Sequence, residues 1–150
     1  MRNIRIYTDG GCSGNPGPGA WAYILLEGEG STQGSRFVQQ TTNNRMELQA
    51  VIEALRKVHE TSVWCSLEIE VFTDSQYVKN GISDWIHTWV HNGWRTRSKK
   101  PVRNQDLWQE LMRLSTPLKI RWHWLQGHAG DPYNEACDRL VQKAIQQGRK

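Results

Sequence analysis

Cysteine is scarce in this chain and unpaired. Cys12, Cys65 and Cys137 make an odd count with no CxxC spacing, which excludes a disulfide framework and points to free thiols in a reducing cytoplasm. Long apolar runs are missing as well: the longest, Ala20–Leu26, is far short of a membrane span. Met1–Ile6 passes straight into a strand-like pattern without a signal-peptide core. No repeat, low-complexity tract or Pro/Ser-rich linker divides the 150 residues, so a single domain spanning 1–150 is expected. Several chemistries are absent too. There is no GxxxxGK[ST] loop and no GxGxxG, Cys12-Ser13-Gly14-Asn15 does not complete a GxSxG elbow, and the cysteines and histidines lack zinc spacing.

What is present is a globular composition, 37% hydrophobic and 23% charged, with mean hydropathy −0.69. A chain of this length buries about 70% of its unfolded surface and needs no covalent staple. The net charge of +4 is unevenly spread. Residues 79–103 hold six Lys/Arg against one acid, whereas residues 1–78 are net acidic. The same basic segment carries Trp85, Trp89 and Trp94, three of the eight tryptophans. Basic charge interleaved with aromatics suits a nucleic-acid surface, and a solvated helix-loop with core tryptophans fits the pattern equally well.

Hydrophobic periodicity gives the order of elements. Ile4, Ile6 and Thr8 alternate with polar neighbours in a strand expected to end at Asp9, where Gly10, Gly11 and the following Gly/Pro positions read as a turn. Trp21–Glu27 and Ser35–Gln40 read as further strands, the first two antiparallel. From Asn43 the period changes to that of an amphipathic helix, with Leu48, Ile52 and Leu55 in one row and Val51, Ala54 and Val58 beside it. A fourth strand ends at Asp74, and Ser75–Gly81 begins another helix. The basic segment follows, then a helix over 106–114, a fifth strand over 118–125 and a last helix from Asn134 to about Gln147. The order predicts an α/β fold, a five-stranded mixed sheet flanked by helices with a basic helical protrusion at about 79–103.

Four carboxylates and one histidine carry the chemical interest. Taken singly, Asp9 reads as a turn residue before two glycines and Asp74 as a helix cap. Glu47 lies on the apolar side of its helix, where a carboxylate needs a cation or a proton to compensate it; placed in the first turn, it would also gain from the helix dipole. Asp138 sits toward the core edge of the last helix. If the first and fourth strands are neighbours, their ends bring Asp9 and Asp74 side by side with the two helix carboxylates facing the same edge. Only a cation rationalises such a cluster, and an all-oxygen set favours Mg²⁺ or Mn²⁺ over zinc. His128, in the glycine-bounded loop Gly127-His128-Ala129-Gly130, is either a surface residue or a proton carrier beside that cluster.

The motifs taken together resemble those of type 1 ribonuclease H of the bacterial kind, over essentially the whole chain. They are Tyr7-Thr8-Asp9-Gly10-Gly11 with Gly14-Asn15-Pro16-Gly17-Pro18-Gly19; Thr41-Thr42-Asn43-Asn44-Arg45-Met46-Glu47-Leu48; Thr73-Asp74-Ser75-Gln76-Tyr77-Val78; Trp85-Ile86-His87; Lys100-Pro101-Val102-Arg103-Asn104; and Gly127-His128-Ala129-Gly130 with Asn134-Glu135 and Cys137-Asp138. Each motif is weak alone, and their order and spacing are specific.

The resemblance implies a metal-dependent endoribonuclease that cuts the RNA strand of RNA/DNA hybrids and leaves 3′-hydroxyl and 5′-phosphate ends. It assigns two Mg²⁺ ions in the substrate complex to Asp9, Glu47, Asp74 and Asp138, with Mn²⁺ a substitute, and gives His128 a part in proton movement or product release. Asn15, Asn43 and Gln76 match groove-contacting positions, Thr42 and Asn104 a pocket for a DNA-strand phosphate, and Trp85 an aromatic of the DNA channel. Lys99, Lys100 and Arg103 supply charge to the basic protrusion. Two stretches depart from the pattern. Gln40 stands where many relatives carry an arginine of the phosphate pocket, and Val90-His91-Asn92 replaces a basic run. A weaker protrusion is therefore expected, on a cytoplasmic monomer whose partner is the hybrid and not a membrane. The alternative is a catalytically inactive hybrid-binding module on the same fold, which carboxylates facing phosphate would disfavour. A recombination or transposition nuclease of the same superfamily fits a full-length match without extra domains less well.

Overall fold

A computed structural model describes residues 3–126 and 131–149. Five strands form one sheet in the order β3-β2-β1-β4-β5: β1 (Asn3–Cys12), β2 (Gly17–Glu27), β3 (Gly30–Thr41), β4 (Glu68–Thr73) and β5 (Lys119–Trp124). β2 runs antiparallel to both β1 and β3, and β4 and β5 continue parallel to β1. The helices are α1 (Asn43–Glu60), α2 (Gln76–Asn80), α3 (Ile86–His91), α4 (Gln105–Ser115) and α5 (Pro132–Gly148). A π-helical turn over Gly81–Trp85 joins α2 to α3. Among the described residues, no helix is long and apolar enough to cross a membrane.

The alternation read from the sequence sets the two faces of the sheet. Ile4, Ile6, Leu25, Ile69 and Val71 point to one side and are buried under Leu48, Val51, Ile52, Leu55 and Val58 of α1 and Trp108 and Leu111 of α4. Burial of each large aliphatic contributes roughly 1.5–3 kcal/mol. On the other side α5 packs on β1–β3, its Val141 and Ile145 against Ala20 and Ala22 and its Cys137 against Tyr7 and Ile24. Beyond α5 the outer face carries charged rows: Arg5, Glu70 and Arg121 lie side by side across β1, β4 and β5, and Asn3, Glu68 and Lys119 form the next row.

Several expected boundaries shift. β1 does not stop at Asp9 but runs on to Cys12, with Gly10 and Gly11 paired to Trp21 and Ala20. β3 starts at Gly30, directly after a tight turn in which Gly28 adopts φ 57°. α1 begins at Asn43 because the Thr42 hydroxyl accepts from the Arg45 N–H at 3.2 Å. Glu47 therefore stands one turn in, and the first turn holds no acidic residue, so the expected dipole stabilisation does not apply. α5 opens at Pro132, capped by Asp131, rather than at Asn134.

Candidate metal centre and nucleic-acid interface

The two strand aspartates lose their local explanations in the structure. Asp9 lies within β1 and is 8% exposed, so it is no turn residue. The cap of α2 is Ser75, whose hydroxyl accepts from the Val78 N–H at 3.1 Å, and not Asp74. β1 and β4 are parallel neighbours, which sets the two carboxylates at the same sheet edge.

Gly10 brings the third carboxylate in. A Cβ on Gly10 would stand 2.6 Å from the Glu47 nitrogen and closer still to the Met46 carbonyl. The helix thus presses onto the strand where no side chain intervenes. The result is a group in which Asp9, Glu47 and Asp74 each offer an oxygen within 4.8 Å of the other two. Asp138 of α5 is near enough for its charge to raise Asp9 and stands outside that three-way group. His128, with the rest of 127–130, lies outside the described residues.

The like charges of this group repel one another. Burial, then the charges of Asp74 and Asp138, push Asp9 up to about 8, against the pull of the Gly10 N–H. Glu47 is driven well above the carboxylate range by burial and by Asp9 and Asp74, while the Gly10 N–H and the Ser75 hydroxyl act in the other direction. Glu47 Oε1 is buried and finds no hydrogen-bond partner among the described residues. A buried oxygen without a donor, among like charges, fits a divalent cation with oxygen ligands.

These shifts set a pH dependence. Raised carboxyl values mean that the folded state binds more protons than the unfolded one between about pH 4 and pH 8. The contribution to stability is complete below about pH 4 and is lost as the pH rises through about 8. In chelator, Asp9→Asn should therefore match wild type in Tm near pH 4 and exceed it by pH 8. Thermal melts across that range check this, and a variant less stable at pH 8 would contradict the strain.

Of the polar residues expected to meet substrate, Asn15, Thr42, Asn43 and Asn104 gather around the N-terminus of α1. Asn15 Oδ1 accepts from the Asn43 backbone N–H at 3.3 Å, and Asn43 Oδ1 accepts from the Cys12 N–H at 2.9 Å. Asn15, Thr42 and Asn104 line one cavity of about 310 Å³ with Pro16, Asn44 and Arg103. Gln40 lines a neighbouring hollow with Trp21, Arg36 and Arg45. Gln76 is exposed at the start of α2.

The tryptophans of the basic segment divide between the two readings. Trp89 and Trp94 are partly buried against the core, and Trp89 packs on Trp108 with centroids 5.5 Å apart. Trp85 is 38% exposed and sits edge-on to Tyr77 at 5.7 Å. Lys99, Lys100 and Arg103 are exposed, on a loop closed by the Thr96 N–H to Lys100 carbonyl bond of 2.8 Å and anchored by buried Val102. Arg45, Tyr77 and Ser75 support these residues and were given no role from the sequence. Only their positions inside the motifs hinted at one.

Comparison with known proteins places the chain. A sequence model of the family described as RNase H matches residues 1–146. The chain is 53% identical to Ribonuclease H of Treponema denticola, over 96% of this chain and 98% of that protein. It is 51% identical to Ribonuclease H of Pseudoalteromonas atlantica, over 96% and 91%. Among solved structures, LC9-RNase H1, a type 1 RNase H with the type 2 active-site motif, superposes with a TM-score of 0.87 at 29% identity, covering 98% of this chain and 74% of that one. The fold is also that of LC11-RNase H1 solved in complex with an RNA/DNA hybrid, with a TM-score of 0.76 at 22% identity over 98% and 99% of the two chains.

Proposed function

The chain belongs to the ribonuclease H family, and from that premise we propose that it hydrolyses the RNA strand of RNA/DNA hybrids, leaving 3′-hydroxyl and 5′-phosphate ends, with Asp9, Glu47, Asp74 and Asp138 as ligands of two Mg²⁺ ions. The observation that carries the chemistry is the group of three carboxylates within 4.8 Å, with one buried oxygen that meets no donor among the described residues. A module that only bound hybrid would gain nothing from clustered acids that repel phosphate. Asp9, Glu47 and Asp74 would hold the ions together with Asp138, and Mn²⁺ would substitute. A divalent cation held there would supply charge to the scissile phosphate and favour ionisation of the attacking water.

The remaining residues bind and orient. Asn15, Asn43 and Gln76 donate to and accept from hydroxyls and base edges of the minor groove, where 2′-hydroxyls distinguish RNA. Thr42 and Asn104 hold a DNA-strand phosphate in the cavity with Arg103, and Trp85 lies along the DNA. His128 assists proton transfer or product release. The free state of Cys12, Cys65 and Cys137 supports a cytoplasmic location. The direct test is incubation of a labelled RNA/DNA hybrid with the protein and Mg²⁺, beside RNA/RNA and DNA/DNA duplexes and a chelator control. Cleavage of the RNA strand in the hybrid alone, abolished by chelator, is expected; intact hybrid would refute the reading.

The exposed basic loop allows a second test. Replacing Lys99, Lys100 and Arg103 with alanine should raise KM far more than it lowers kcat, because such contacts are equal in the ground and transition states. The dependence of log KM on log salt should flatten by about 0.9 per lost phosphate contact, on the B-form scale. Measured at several salt concentrations, equal KM and equal slopes would reduce the loop to a solvated face.

A further inference from the structure

Asn104 departs from ordinary local behaviour in two ways. It is the N-cap residue of α4, yet its side chain makes no cap bond, although asparagine in that place ordinarily accepts from the free N–H groups of its own helix. Its backbone is left-handed, with φ 61°, a conformation asparagine tolerates better than most side chains do. The amide is used elsewhere. Its Oδ1 accepts from Arg45 Nη1 at 3.2 Å, and its Nδ2 donates to the Tyr77 hydroxyl at 3.1 Å. Arg45 is itself held by both carboxylate oxygens of Asp106, at 3.1 and 2.8 Å. The Tyr77 hydroxyl also accepts from the Trp108 indole at 2.9 Å, which ties it to the buried core.

This arrangement determines which end of the amide faces where. A guanidinium has only donors, so the end of Asn104 that meets Arg45 must be the oxygen. The other end is an amine with two protons, and Tyr77 takes one. The second N–H is left for the cavity that Asn104 shares with Thr42, Asn15, Asn44 and Arg103, whose lining contains no acid. Arg45 brings little free charge of its own, because the Asp106 carboxylate neutralises it in a two-pronged pair.

We propose that Arg45 is a positioning residue: clamped by Asp106 and aided by Tyr77, it locks the Asn104 amide with its amine toward the cavity, so that the cavity accepts a phosphate oxygen of the DNA strand. This rests on the reading of the hybrid as substrate. An unlocked amide turns over freely and presents its oxygen to the phosphate as often as its amine, which replaces a hydrogen bond with repulsion. The lock removes that alternative before the substrate arrives. It also accounts for the cap that α4 forgoes, since Oδ1 cannot serve both the helix and Arg45 in this geometry.

The test is a double-mutant cycle on hybrid cleavage, with wild type, Arg45→Met, Asn104→Ala and the pair compared for KM, kcat and Tm at one salt concentration. Cleavage by wild type is read first; its absence overturns the functional reading and this proposal together. Asn104→Ala should raise KM by about tenfold, the effect of one hydrogen bond to a charged group. Arg45→Met should raise KM by about fivefold in the wild-type background and leave it unchanged in the Asn104→Ala background, with kcat moving less than about twofold. Asp106→Ala, which releases the clamp without touching Asn104, should follow Arg45→Met with a smaller rise. An equal rise in both backgrounds would mean that Arg45 meets the hybrid itself, and no rise in either would mean that the clamp only joins α1 to α4. Both outcomes overturn the lock while leaving the hydrolase reading intact.

Discussion

Asp9→Asn should lower hybrid cleavage in Mg²⁺ by at least about 10³-fold while the fold persists. The substitution changes the volume of the side chain hardly at all, so packing around β1 offers no reason for the loss. What changes is charge and ligand chemistry. Asp9 is the buried member that both Asp74 and Asp138 act on, which places it between the two halves of the acidic group. An amide there offers one neutral oxygen in place of a carboxylate. The measurement is single-turnover cleavage of a labelled hybrid, with a melting curve run beside it. Activity within a few fold of wild type would remove Asp9 from the chemistry. A collapse in Tm would make the residue structural instead.

A smaller but still large loss is expected from Gly10→Ala, for a different reason. The added methyl would overlap the backbone of Met46 and Glu47, and backbone cannot swing aside as a side chain tip can. Overpacking of this kind costs about 1–3 kcal/mol, and relief requires α1 to retreat from β1. That retreat carries Glu47 away from Asp9. Misplacement of a catalytic group by about 1 Å costs on the order of 10²-fold in rate, so activity should fall by at least that much in molecules that remain folded. Gly11→Ala is the control, because its methyl would meet only Asn43 Oδ1 at 3.8 Å and Val141 at 3.9 Å, which are ordinary contacts. Melting temperatures and cleavage rates of the two variants should diverge sharply. Similar values would show that the strand and helix have room to spare.

The legibility of the chain followed the physics of each segment. α1 could be read because its apolar rows repeat at helical spacing and end in a buried stripe. The order of strands and helices held for the same reason. The first half of β3 could not be read, because Gly30–Arg36 at the sheet edge is polar and mostly exposed and has no alternation to display. Gly10 and Gly11 look like a turn in sequence and are strand in space, since the absence of a side chain there serves the approach of α1 rather than a reversal of the chain. The acidic residues stood out through an anomaly, Glu47 on an apolar face, and through their motif company. Arg45 did not, because its partners Asn104 and Asp106 lie about sixty positions away along the chain, and no local pattern records a contact of that range.

The open part of the sheet beyond α5 bears on how copies of this chain meet one another. Parallel strands are usually covered on both faces, and here β4 and β5 reach beyond the cover that α5 gives to β1, β2 and β3. The central row there holds two guanidiniums, Arg5 and Arg121, about a single carboxylate, Glu70. Two molecules laid face to face along that row would bring four cations together with only two anions between them and would strip water from all six. Close apposition of two copies through this row is therefore disfavoured by charge and by desolvation, and the row lies apart from the edge where the carboxylates gather.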